Sequence, residues 1–144
     1  MKYRLAVLTD IPALVAIEQA QPRCAQWGQT GWQTELAEKS ARVWCAQAEN
    51  RVIGFVALRF AADIGEILNV GVAPAFARRG IGTELVNHAL IWVREHGGKQ
   101  LTLEVGACNN SAVALYQKVG FKQVGVRKKF YMGNEDALIM GCTW

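Results

Sequence analysis

The chain has 144 residues, 51% hydrophobic and 19% charged, with a formal net charge of +4. That is enough apolar chain for one ordered domain over residues 1–144, and too mild a charge to imply nucleic acid by itself. No apolar run reaches membrane-spanning length, no signal peptide is evident, and Cys24, Cys45, Cys108 and Cys142 form no C-x-x-C pair. A cytoplasmic protein with reduced thiols and no metal, membrane or nucleic-acid partner is expected.

Tyr3, Leu5 and Val7 alternate with Arg4 and Ala6, which predicts a short first strand. Thr9-Asp10-Ile11-Pro12 has the form of a helix start, and Leu14 and Ile17 carry that helix to about Ala20. Gln21-Pro22-Arg23 ends it. Residues 24–32 read as a loop carrying Trp27 and Trp32, followed by a short helix over 34–39. The runs 43–48 and 52–60, joined by a turn, predict a hairpin. A further strand runs to Val72, and then Ile81, Leu85, Ala89 and Trp92/Val93 recur at helical spacing until Gly97-Gly98. Leu101, Leu103 and Val105 share one face of the next strand, with Thr102 and Glu104 on the other. Asn110-Ser111 is the expected cap of a helix ending near Gly120, and two strands close the chain over 121–126 and 137–144. The order is β-α-α-β-β-β-α-β-α-β-β, an α/β pattern.

Residues 72–83, VAPAFARRGIGT, join a strand to the N-terminus of an amphipathic helix. Backbone N–H groups without intrahelical partners converge at such an end, and the helix dipole adds positive potential. Gly80 and Gly82 remove side chains that would hold an anion off those amides, while Arg78 and Arg79 add full charges. The chemistry is that of a phosphate or pyrophosphate cradle over Arg78, Arg79, Gly80, Ile81, Gly82 and Thr83. No lysine precedes Thr83, which excludes a P-loop, and no third glycine completes a dinucleotide fingerprint. A strand-to-helix turn with glycines for close packing carries the same letters.

Glu104 on a strand and Tyr116 about two turns into the next helix suit acid–base chemistry: a carboxylate accepts a proton and a phenol donates one. The bland readings are a half-exposed strand residue and a helix residue packed on the sheet. Cys108 stands nearby without an evident histidine partner. Arg127-Lys128-Lys129-Phe130-Tyr131 interleaves charge with aromatics, which suits RNA, the border of a peptide groove or a solvated strand end.

Asn109, Ala112, Leu115, Tyr116, Gly120 and Phe121 form the pattern Asn-x-x-Ala-x-x-Leu-Tyr-x-x-x-Gly-Phe, and Arg79-Gly80-Ile81-Gly82-Thr83 follows a strand ending Val-Ala-Pro. Together these resemble the GNAT acyltransferases, whose pyrophosphate loop reads Arg/Gln-x-x-Gly-x-Gly/Ala; Ala77 stands at its first position here. Asn69, Leu103-Glu104-Val105 and residues 135–140 extend the resemblance to the RimI-type subgroup, bacterial enzymes that acetylate the N-terminal alanine of a small-subunit ribosomal protein. Gln26-Trp27-Gly28 departs from that subgroup's Pro-Trp-Ser/Thr, and Gly106 from its usual arginine.

The resemblance implies a GNAT fold, with a mixed, mostly antiparallel central sheet of about seven strands and flanking helices. It also implies acetyl-coenzyme A as cosubstrate and no metal. Glu104 would be the general base and Tyr116 the general acid toward the thiolate. Asn69, Val70, Gly71 and Val72 would hold the pantetheine arm and polarise the thioester, Asn109 would touch the same arm, and Arg78 to Thr83 would hold the pyrophosphate. Trp27 and Tyr131 would border the acceptor, a protein N-terminus in the leading reading. A small amine or amino acid is the alternative acceptor. A non-catalytic acyl-coenzyme A sensor is the alternative outside enzymes, and the presence of both Glu104 and Tyr116 argues against it.

Overall fold

The apolar runs pair into a seven-stranded sheet in the order β1-β2-β3-β4-β5-β7-β6. The strands are β1 (Lys2–Leu5), β2 (Ala41–Ala48), β3 (Arg51–Ala61), β4 (Ile64–Val72), β5 (Gln100–Gly106), β6 (Lys122–Tyr131) and β7 (Glu135–Thr143). Helices α1 (Ile11–Ala20), α2 (Gly28–Ala37), α3 (Ile81–Glu95) and α4 (Asn110–Val119) complete the order read from the sequence. This is a computed structural model; it describes residues 1–131 and 134–144, without the side chains of Phe130 and Tyr131. Every neighbouring pair is antiparallel except β4 and β5, which run parallel.

Two clusters cover the two faces. Val43, Phe55 and Ala57 pack with Ile11, Leu14 and Ile17 of α1 and Trp32 of α2. Val56, Leu58, Ile67, Leu101, Leu103 and Val105 pack on the other face with Leu85, Ala89 and Val93 of α3 and Tyr116 of α4. Burying these side chains drives the assembly, at about 1.5–3 kcal/mol for each large one. The edge strand β1 ends at Leu5, which is 51% exposed, and Val7, expected to continue it, lies beyond it at 54% exposure, so the alternation there marks a strand without a fully buried face.

Two local expectations need correction. The segment read as a loop becomes helical at Gly28, because the Glu18 carboxylate accepts from Trp27 N (3.2 Å), Gly28 N (2.8 Å) and Trp32 Nε1 (2.7 Å). A cap supplied from a preceding helix leaves no signature at the helix start itself. Trp32 is consequently core, packed edge-on against Phe55 at 5.0 Å. At α4 the cap is Asn109 rather than Asn110-Ser111: its Oδ1 accepts from Ala112 N at 3.4 Å.

The feature that positions the site is in β4. Ala57 pairs with Asn69 and Leu58 with Ile67, so Leu68 is an extra residue in a bulge. The parallel pairing of β4 with β5 runs from Ile64↔Gln100 to Ile67↔Leu103. Both strands continue past it, to Val72 and Gly106. From there they part, and the sheet opens as a wedge whose two walls lead into α3 and α4.

Candidate active site

On the β4 wall, Gly71 and Asn69 pair with Phe55 and Ala57 of β3. The alternate residues turn the other way: Val70 O accepts from Cys24 Sγ (3.1 Å) and Val72 O from Gln21 Nε2 (2.6 Å). A strand residue presents its N–H and C=O on the same side, so the Val70 and Val72 amides face the wedge. Only glycine fits at position 71, where a Cβ would lie 2.8 Å from the Phe55 ring. Asn69 is 6% exposed. Its amide accepts from Ala25 N (3.3 Å) and donates to Ala25 O (3.1 Å), fastening the α1–α2 segment to β4.

At the wedge mouth, a 3-10 turn over Pro74–Phe76 leads to Arg78 at φ +62° and Gly80 at φ +80°, and α3 begins at Ile81. Among the described residues no side chain caps this helix, whose first backbone bond is Glu84 N to Gly80 O at 3.0 Å. The Ile81, Gly82 and Thr83 amides precede that bond. Arg79 lies over the Phe76 ring with Cζ 5.1 Å from its centroid. Gly80 is required for its backbone conformation, since a Cβ there meets nothing within 4 Å. Gly82 is different: a Cβ would stand 2.9 Å from Leu115 Cδ1, so the end of that half-buried side chain on α4 must shift to admit one. The packing reading offered beside anion access in the sequence thus has a contact behind it at Gly82.

Glu104 and Tyr116 come to the wedge from opposite faces of the sheet. Leu103 and Val105 point into the cluster under α3 and α4, which contains Tyr116 at 9% exposure. Glu104, between them, therefore points to the face carrying α1 and α2. Its Oε1 is 2.8 Å from Arg127 Nη2. Tyr116 sits edge-on to Phe121 at 5.8 Å. The side chain of Asn109 is engaged as the α4 cap beside this wall.

On the Glu104 face, a second ion pair joins distant segments. Arg23 Nη2 lies 2.9 Å from both oxygens of Glu135, which also accepts from Cys108 N. The Cys108 amide and then Arg23 hold the Glu135 carboxyl below the usual carboxylate range. Trp27 packs edge-on against Trp32 at 4.7 Å, half-buried beside the loop. The Tyr131 side chain lies outside the described residues. Arg23 carried no local signal, because its partner is 112 residues away. The basic run at 127–129 is exposed, as a solvated strand end is: besides Arg127, Lys128 Nζ is 3.5 Å from Asp136 with its side chain 82% exposed, and the Lys129 backbone N donates to Asp136 Oδ1 at 2.8 Å. Both histidines are engaged elsewhere, His88 stacked on Tyr3 and His96 on Trp92.

The sequence profile described as the Acetyltransferase (GNAT) family matches residues 11–121. The chain belongs to the GNAT acetyltransferase family. It is similar to ribosomal protein bS18-alanine N-acetyltransferase of Salmonella typhimurium, 33% identical over 135 residues that cover 92% of this chain and 90% of that protein. A putative enzyme of the same name from Bacillus subtilis is 31% identical over 149 residues, covering 99% and 98%. Among solved structures, the ribosomal-protein-S18-alanine N-acetyltransferase of Escherichia coli superposes with a TM-score of 0.88 at 27% identity, covering 99% of this chain and 92% of that one.

The GNAT fold and N-acetyltransferase activity expected from the sequence are thereby established. GNAT enzymes take the acetyl group from acetyl-coenzyme A. The residues present fit such a group: an uncapped helix start beside two arginines suits a pyrophosphate, and inward-facing strand amides suit an extended arm. Among the described residues no His/Cys/Asp/Glu group is placed to hold a metal, and no helix is long and apolar enough to cross a membrane.

Proposed function

We propose that this GNAT enzyme, a single domain over residues 1–144 working in the cytoplasm, acetylates protein N-termini, with an N-terminal alanine as the preferred acceptor. The observation that carries the reading is the wedge between β4 and β5, with Glu104 on one face and Tyr116 on the other. The choice of acceptor is supported by the Salmonella and Bacillus relatives, whose names specify an alanine of ribosomal protein bS18.

Acetyl-coenzyme A supplies an activated thioester. Arg78, Arg79, Gly80, Ile81, Gly82 and Thr83 hold its pyrophosphate, and Asn69 to Val72, with Asn109, hold the pantetheine arm. An amine attacks only when neutral, so Glu104 takes its proton, directly or through water. The Val70 amide donates to the oxygen on which negative charge develops and the Val72 amide, one strand repeat further on, to the arm; being fixed in the strand they need no reorganisation. Tyr116 donates its hydroxyl proton toward the departing thiolate. Trp27 and Tyr131 border the acceptor.

A panel of Ala-, Ser-, Thr- and Met-initiated peptides, with free polyamines alongside, tests this by mass spectrometry. Acetyl on the α-amine, strongest for alanine, is expected. Labelling confined to lysine side chains or polyamines overturns the acceptor assignment. Thiol release without any acetylated product would leave only hydrolysis, and no thiol release at all would indicate a sensor.

A further inference from the structure

We propose that Arg127 is a positioning residue for Glu104, reaching it diagonally across β7 from a row of small residues. The inference rests on Glu104 being the base. Gly106 of β5 and Arg127 of β6 both pair with Ala137 of β7, so the three form one row across three strands. Register partners place their side chains on the same face. Glu104 lies two positions back along β5, opposite Ile139, and so shares that face. The strands are each about 4.8 Å apart, so Arg127 must cross the whole width of β7 diagonally. It does so, bringing Nη2 to 2.8 Å from Glu104 Oε1. The row it starts from holds only Gly106 and the fully buried Ala137, and the diagonal to Glu104 then passes beside Ile139.

Stability does not account for this arrangement. The two side chains are 50% and 28% exposed, and ion pairs that accessible contribute little to folding. What a fixed guanidinium does is hold a flexible glutamate in one rotamer. A base that must meet an incoming amine within a fraction of an ångström gains in rate from that restriction.

The test is steady-state kinetics on the full chain with acetyl-coenzyme A and an alanine-initiated peptide. Arg127→Met is expected to lower kcat by about ten- to hundredfold while KM for acetyl-coenzyme A stays within about twofold. Arg127→Lys should recover part of the loss. Millimolar guanidinium chloride should partly rescue Arg127→Ala where the same concentration of sodium chloride does not. In a Glu104→Gln background, Arg127→Met should add no further loss, because both act through one group. If Glu104→Gln slows turnover but Arg127→Met keeps the wild-type kcat, the positioning role is overturned and the base stands. If Glu104→Gln itself keeps wild-type turnover, the base assignment is what fails. A purely structural arginine would show additive losses and no guanidinium rescue.

Discussion

Arg23 Nη2 stands 2.9 Å from both carboxylate oxygens of Glu135, closing a span of 112 residues. One partner follows α1 and the other opens β7, so the pair fastens the segment pinned by Asn69 to the far side of the wedge. Cys108 N donates to the same carboxylate, which brings in the β5–α4 turn as a third segment. All three lie on the face toward which Glu104 points. Arg23→Met or Glu135→Gln should therefore raise KM for the acceptor peptide by about fivefold, the scale of one ordinary hydrogen bond, because the pair acts on the acceptor only through the segments it fastens. KM for acetyl-coenzyme A should not move, because the Arg78–Thr83 turn is not part of this clasp. Equal changes in both constants would show that the clasp supports the whole site rather than the acceptor side.

The clasp also has a pH signature. The Cys108 amide, followed by Arg23, lowers the Glu135 pKa from its ordinary value. A depressed native pKa adds stability that is complete above the unfolded value, about 4.3 for glutamate, and is lost as pH falls through the native one. The stability difference between wild type and Glu135→Gln should hold constant from about pH 6 to 9 and shrink below about pH 4. Chemical denaturation at several pH values measures it. A difference that grew on acidification would contradict the assigned sign.

The cradle combines two left-handed residues, Arg78 and Gly80, with an uncapped helix start. An arginine at φ +62° carries a backbone cost of roughly 1 kcal/mol that glycine would not. Arg78→Gly should leave thermal stability unchanged or raise it, while weakening acetyl-coenzyme A binding through the lost charge. Gly80→Val, at φ +80° but in open space, should lower both. Gly80 is a cleaner position for this test than Gly82, whose replacement also pushes on Leu115. Calorimetry with acetyl-coenzyme A reads the affinity; an undiminished affinity in Gly80→Val would remove the cradle from the site.

What the sequence made legible was what local chemistry encodes. Helix α3 follows from its 3.6-residue period, β5 from strict alternation, and the turn into α3 from its glycines. What it hid were relationships between segments. Glu18 caps α2 from within α1, Arg59 grips Glu35 with bonds of 2.7 and 2.6 Å, and Arg23 finds Glu135 only after the sheet has formed. The basic run was legible in part: it is exposed, as a solvated strand end or groove border is, but only the register brings Arg127 to Glu104. The parting of β4 from β5 was invisible too, because a bulge at Leu68 and the end of a pairing leave no mark on apolar periodicity.

The thiols should separate by environment. Burial pushes Cys24 and Cys45 up to about 11, and Cys45 is fully buried. Cys108 is exposed. Iodoacetamide near pH 8 should label Cys108 first and leave Cys24 and Cys45 untouched until denaturant is added, since the thiolate is the reactive form. Peptide mapping identifies the labelled positions. Rapid labelling of Cys24 in the native protein would mean that the loop on β4 opens readily.

The two proton carriers are separable by pH. An N-terminal amine has a reference pKa of about 8, so at neutral pH most of it must be deprotonated before attack. Glu104→Gln removes the group proposed to do this, and the loss should be about 10²–10⁴-fold. As pH rises past about 9 the amine is already neutral in solution, and the variant's deficit should narrow. Tyr116→Phe keeps the ring and its edge-on packing against Phe121, so the fold should be unaffected. An alkyl thiol has a reference pKa of about 8.5 and can leave without full protonation, so the smaller loss is expected here. That loss should persist at high pH, where the departing thiolate still lacks its donor. Turnover of both variants from about pH 6 to 10 distinguishes the roles. A Glu104→Gln deficit that did not narrow with pH would mean that the carboxylate orients the acceptor rather than taking its proton.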